Sequence, residues 1–106
     1  SSDLDAREQY DVVTARAVAA LPVLCELCLP LVRVGGSFVA YKGAAGEEEL
    51  AAAKRAVQVL GGAAAETYAY TIPGVDAVRT LIIVRKITPA PLTYPRTYAQ
   101  MKKRPL

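Results

Sequence analysis

A chain of 106 residues, 53% hydrophobic and 22% charged, is one small domain or a piece of a larger one, apolar enough to bury a core and excluded from the disordered class. No apolar run approaches the roughly 20 residues of a membrane span, and the acidic opening Ser-Ser-Asp-Leu-Asp is no signal peptide, so a soluble cytoplasmic protein is expected. The net charge of +3 hides an asymmetry, since residues 1–76 hold six Lys/Arg against ten Asp/Glu whereas residues 77–106 hold seven Lys/Arg and no acid.

The first element expected is a strand over Tyr10 to Thr14, where Val12-Val13-Thr14 reads as the core of a buried strand. Arg16 arrives two residues after that run, just ahead of a helix-capable segment from Ala17 to Leu31. In a doubly wound α/β sheet, ligands sit outside the carboxyl ends of the strands. Arg16 is therefore a candidate ligand contact, although a surface arginine on a βα loop is the commoner meaning of an isolated arginine. Between Pro22 and Leu31 the apolar positions Leu24, Leu27, Cys28 and Leu31 recur at helical spacing. Pro30 removes an amide donor and should kink or shorten the helix end. Gly35-Gly36 reads as the stop that follows, and Ser37 to Lys42 as a second strand ending in a charge and Gly43.

The next helix opens on Glu47, Glu48 and Glu49, which suit the positive end of the helix dipole. Leu50, Ala53, Val57 and Leu60 make its apolar face, Lys54 and Arg55 lie on the other side, and Gly61-Gly62 stops it. Thr67 to Ile72 reads as a strand, Pro73-Gly74 as a turn, and Thr80 to Val84 as a β-branched core strand. Their connection is too short for a parallel crossover, so this pair should be antiparallel. Beyond Lys86, the prolines at 89, 91, 95 and 105 predict an extended, irregular tail. The expected division is an α/β body, residues 1–86, and a basic tail, residues 87–106. Two βα units followed by a terminal hairpin form the second half of a Rossmann-like methyltransferase sheet.

The inventory of side chains excludes much chemistry. There is no histidine, which removes the commonest general base and metal ligand. Cys25 and Cys28 form a lone Cys-x-x-C on an apolar helix face, where cysteine packs as a small hydrophobe. A zinc site needs about four ligands and a second pair is missing, so no metal is expected. No glycine-rich phosphate loop follows a strand. What remains is arginine and lysine at strand ends, plus a tail carrying Tyr94, Arg96, Tyr98, Lys102, Lys103 and Arg104. Those residues offer stacking faces and phosphate partners of the kind that single-stranded or loop RNA requires. The consecutive Lys102, Lys103 and Arg104 suit phosphates better than base selection; a plain solvated terminus is the alternative.

In order and spacing, "REQYDVVTARAVA", "LCLPLVRVGGSFVAYKG", "EEELAAAKRAVQVLGG", "RTLIIVRKI" and "YPR…KKRPL" resemble the bacterial ribosomal small subunit methyltransferase G family, also called glucose-inhibited division protein B. The resemblance spans essentially the whole chain and is to the C-terminal half of the enzyme. It implies a class I S-adenosylmethionine-dependent fold and transfer of a methyl group to N7 of a guanosine in 16S rRNA. It further implies that Arg16, with Thr14 and Ala15, borders the S-adenosylmethionine site. Lys42 and Gly43 would lie at the adjacent strand end, on the same side of the sheet. Arg79 would open the last strand, and Arg96 would belong to the Tyr-Pro-Arg tail; these cations are the expected RNA contacts. Two departures stand out. Thr97 to Met101 replaces the family's Lys/Gly/Pro-rich stretch, and the chain begins after the glycine-rich cofactor loop and the acidic residue that reads the adenosine. Guanine N7 carries a lone pair and no proton, so no general base is required, and alignment and electrostatics would carry catalysis.

Two functions compete on this sequence: a fragment of an rRNA methyltransferase, inactive alone, and a small non-catalytic RNA-binding α/β module using its basic tail. Without the other half, the strand at Tyr10 to Thr14 should be an exposed apolar edge, which invites a homo-dimer.

Overall fold

Alternation of apolar and polar side chains along each strand decides which face of the sheet is covered. In the computed structural model, which describes residues 7–16, 20–42, 46–74 and 78–106, the elements are β1 (Tyr10–Arg16), α1 (Leu21–Cys28) with a 3-10 turn at Leu29–Leu31, β2 (Val32–Lys42), α2 (Gly46–Val59), β3 (Glu66–Thr71), β4 (Val78–Arg85) and α3 (Tyr98–Lys103). They form a four-stranded sheet of order β1-β2-β4-β3. β1 and β2 are parallel, as a helical crossover requires, and β4 runs antiparallel to both β2 and β3. Val13 and Ala15 of β1, Phe38 and Ala40 of β2, and Ile82 and Val84 of β4 face one way. Against them pack Leu21, Leu24 and Cys25 of α1 and Ala53, Ala56, Val57 and Leu60 at α2. None of the described helices is long and apolar enough to cross a membrane.

The structure corrects several expectations. β1 is not a buried strand: among the described residues it has a neighbour on one side only, and Val12 is 57% exposed. Every residue of α1 from Leu21 to Glu26 is buried, with Leu21, Leu24 and Cys25 in the core, leaving Leu27 exposed and Cys28 half-buried. The α-helix ends at Cys28 and tightens into a 3-10 turn around Pro30, as the missing amide dictates. Gly35-Gly36 is not a helix stop but part of β2. There the β1–β2 pairing jumps from Tyr10 opposite Val32 to Val12 opposite Ser37. A Cβ on Gly36 would lie 2.5 Å from the Asp11 carbonyl oxygen, so the bulge closes only around glycine. Gly61 does act as the expected stop for α2, with φ +88° and a hypothetical Cβ 2.1 Å from the Thr88 carbonyl oxygen. Of the acidic first turn, Glu48 is exposed, while the side chains of Glu47 and Glu49 lie outside the described residues, as do Ala17 and Gly43.

The segment after Lys86 is the largest departure. It is not extended throughout: α3 opens on a capping box in which Thr97 Oγ1 accepts from the Gln100 amide and Gln100 Oε1 accepts from the Thr97 amide. The prolines flank this turn and do not interrupt it. Met101 of α3 is buried and Leu106 packs against the core. The same segment is tied to the other end of the chain. Arg7 donates to the carbonyls of Tyr94 (2.5 Å), Ala90 (3.0 Å) and Pro91 (2.7 Å), and Glu8 accepts from the Ala90 amide at 3.0 Å.

Candidate functional site

Two groups of cations emerge, in different places. The first is the carboxyl edge of the parallel pair. Arg16 ends β1 opposite Tyr41, and Lys42 ends β2 opposite Thr80. Because β4 runs antiparallel, its start falls at this same edge and brings in Arg79, which pairs with Tyr70 of β3. The period-two alternation then separates the four residues. Arg16, Tyr41 and Arg79 lie on the sheet face opposite the helices, in line with Leu81 and Tyr68, and all three are exposed. Thr14 shares that open face, whereas Ala15 packs against the core.

Lys42 points the other way and is only 5% exposed. Its expected place beside Arg16 holds along the edge but not across the sheet, since neighbouring residues on a strand alternate faces. At that exposure the Lys42 side chain offers little surface to an RNA ligand. The Lys42 charge acts inward, opposing the burial that pushes the Cys25 thiol up to about 12. Burial likewise pushes Cys28 up to about 11. Both thiols are protonated at neutral pH, which suits core packing and neither nucleophilic nor ligand chemistry.

The second group is the C-terminal segment against α1. Arg96 turns one edge of its guanidinium inward. Its Nε donates to Glu26 Oε2 at 2.9 Å and its Nη2 to Glu26 Oε1 at 2.8 Å, while its backbone amide donates to Glu26 Oε2 at 2.8 Å. Nη2 also donates to the Arg104 carbonyl at 2.8 Å, which fixes the end of α3. Glu26 is 1% exposed. Burial pushes its carboxyl up, but the Arg96 hydrogen bonds and charge outweigh that, so its pKa is lowered overall. Arg96, Gln100, Lys103 and Arg104 together line a cavity of about 300 Å³. Lys102 is turned away and sits over the Tyr98 ring, 5.6 Å from its centroid.

Glu26, Glu8 and Lys86 were not singled out in the sequence. A signal existed for Glu26, an isolated acid within the apolar helix Leu-Pro-Val-Leu-Cys-Glu-Leu-Cys. An ion in such a setting is retained only with a partner.

A parallel βα pair joined to a terminal antiparallel hairpin, in the order β1-β2-β4-β3, is the C-terminal half of a Rossmann-like class I methyltransferase sheet. The solved structure of a T. thermophilus 16S rRNA methyltransferase in complex with AdoMet and guanosine shares this fold, with a TM-score of 0.52 at 19% identity over 81% of this chain and 22% of that one. The chain belongs to the rRNA small subunit methyltransferase G family, whose model matches residues 2–75. A ribosomal RNA small subunit methyltransferase G of Staphylococcus aureus is 54% identical over 100 residues, and one of Geobacillus kaustophilus is 48% identical. Each alignment covers 94% of this chain but 42% of the relative, so the chain spans less than half the length of these relatives.

Proposed function

We propose that this chain is the C-terminal portion of an S-adenosylmethionine-dependent methyltransferase that transfers a methyl group to N7 of a guanosine in 16S rRNA, acting in the cytoplasm. Family membership over nearly the whole chain carries the reading. In it, Arg16 and Thr14 border the cofactor from the carboxyl edge, with Ala15 supporting that strand end from the core side. Arg79, on the open sheet face with Tyr41 and Tyr68, faces the substrate RNA, and Lys103 and Arg104 of the basic C-terminal run contact its phosphates. S-adenosylmethionine supplies the electrophilic methyl group when bound. The chain's own part is to position the cofactor and the base and to offer cations to the phosphates, since N7 has no proton to remove.

Calorimetric titration tests this. The 106-residue chain should bind S-adenosylmethionine at best at millimolar strength, and micromolar binding would refute the partial-site reading. In a chain of full family length, Arg16→Ala should lower cofactor affinity about tenfold, or roughly 1.4 kcal/mol. An unchanged affinity would make Arg16 an ordinary surface residue. The acid-free charge of residues 77–106 also favours a second reading, a non-catalytic RNA-binding module. Cofactor binding by the full-length protein separates the two.

The reading includes self-association of the isolated chain. The outer edge of β1 has no neighbouring strand among the described residues, and Tyr10 and Val12 are exposed beside it. Unpaired strand edges with apolar flanks recruit a second strand. Sedimentation should show a concentration-dependent dimer. A folded monomer persisting at high concentration would end this proposal.

A further inference from the structure

Lys102, Lys103 and Arg104 are adjacent in sequence, yet the fold gives them different surroundings. We infer that the cavity formed by Arg96, Gln100, Lys103 and Arg104 is a pre-shaped site for one phosphodiester group of single-stranded RNA, and that Lys102 is not part of it. This rests on the rRNA reading above and assigns a particular phosphate contact within it.

Three lining side chains are cations and the fourth is an amide; among the described residues no carboxylate lines the cavity. Its volume of about 300 Å³ is at the lower end of the range for small-ligand sites. Arg96 is held in place from behind. The buried Glu26 carboxylate grips Nε, Nη2 and the backbone amide, and Arg104 is gripped in turn through its carbonyl. Nη1 of Arg96 makes no hydrogen bond among the described residues, so one edge of the planar donor fork remains for an oxygen ligand. Buried Met101 and the capping box fix the short helix that carries Lys103. Pre-organisation of this kind removes ordering cost from binding. Lys102 is instead engaged over the Tyr98 ring, and a general charge field would not distinguish it from Lys103.

Glu26 is a positioning residue in this scheme. It touches no ligand, and its carboxylate neutralises part of the Arg96 charge, so the site takes its net positive charge from Lys103 and Arg104.

The test is fluorescence anisotropy with a labelled single-stranded RNA dodecamer over a salt series, on the 106-residue chain and four single variants. Lys103→Ala and Arg104→Ala should each weaken binding about fivefold to tenfold. Each should also shallow the log–log salt slope by about 0.7. Lys102→Ala should change affinity less than twofold. Equal losses from all three would overturn the cavity while leaving RNA binding by the segment intact. No RNA binding by the unaltered chain would remove the rRNA reading of this segment along with the cavity. Inorganic phosphate serves as a competitor. Tight binding of free phosphate with none of the RNA would overturn the assignment to a phosphodiester. Circular dichroism of each variant establishes that it is folded, and Lys103→Arg, which keeps the charge, should restore binding if Lys103→Ala has lost it.

Discussion

Lys86→Ala should lower the stability of this chain by about 3–5 kcal/mol, enough to unfold a substantial fraction of a small domain. The Lys86 side chain is 0% exposed. Its ammonium donates to the Leu29 carbonyl at 2.7 Å and the Val32 carbonyl at 2.8 Å, and pairs with Glu8 Oε2 at 2.9 Å. All three of its donors are used, and the partners come from two parts of the chain far from it in sequence, Glu8 and the turn at 29–32. Burial pulls the lysine below its ordinary pKa, with the Glu8 hydrogen bond and charge opposing. Removing the ammonium takes one donor from a carboxylate and two carbonyls, of which Glu8 keeps, among the described residues, only the Ala90 amide, and removing the stem leaves a cavity as well. Lys86→Met restores the packing and not the donors. It should recover only part of the loss, which separates the two contributions. Urea denaturation followed by circular dichroism measures both variants. A loss below about 1 kcal/mol for Lys86→Ala would mean that water satisfies these acceptors as well as lysine does.

The residues that reasoning from sequence placed well are those whose local pattern and long-range partner agree. α2 has an apolar stripe, a glycine stop and a compatible neighbour, and its buried residues Ala53, Val57 and Leu60 lie where periodicity puts them. The β3–β4 hairpin followed from a short connection alone. Readings failed where one local signal has two physical uses. Gly35-Gly36 is as good a helix stop as it is a bulge, and only the Asp11 carbonyl across the strand pair decides between them. The prolines of the C-terminal segment suggested irregular chain, but their spacing leaves room for one capped turn. Arg16 and Arg79 meet at one sheet edge because β1 and β2 are parallel and β4 is not, which no local pattern encodes. Arg96 looked like an outward cation because its partner, Glu26, is 70 residues away. Charge runs can be counted in a sequence, but the internal pairing that decides which charges remain for a ligand cannot.

Glu26 carries the second large effect, and its signature is pH-dependent. Glu26→Ala should cost about 3 kcal/mol, because it strips the acceptor from the Arg96 side chain and amide and opens a void beside α1. Glu26→Gln keeps the volume and isolates the charge. The ordinary value for this carboxyl is 4.5. Burial pushes it up, while the Arg96 side-chain bond, the Arg96 backbone bond and the Arg96 charge together hold it lower in the folded chain. A carboxylate whose folded pKa lies below its unfolded one contributes stability above the unfolded value. That contribution is lost as pH falls through the folded pKa. Glu8 behaves in the same direction: burial opposes, and the hydrogen bonds from Lys86 and the Ala90 amide and the nearby charges prevail. The unaltered chain should therefore lose stability as pH falls below about 4.5. Glu26→Gln should start less stable at neutral pH and show a shallower acid limb, with the slope that remains belonging partly to Glu8. A further Glu8→Gln change should flatten it again. Denaturant titrations at a series of pH values measure these limbs directly. If Glu26→Gln left the acid limb as steep as in the unaltered chain, the Glu26–Arg96 pair would not be what holds the C-terminal segment to α1.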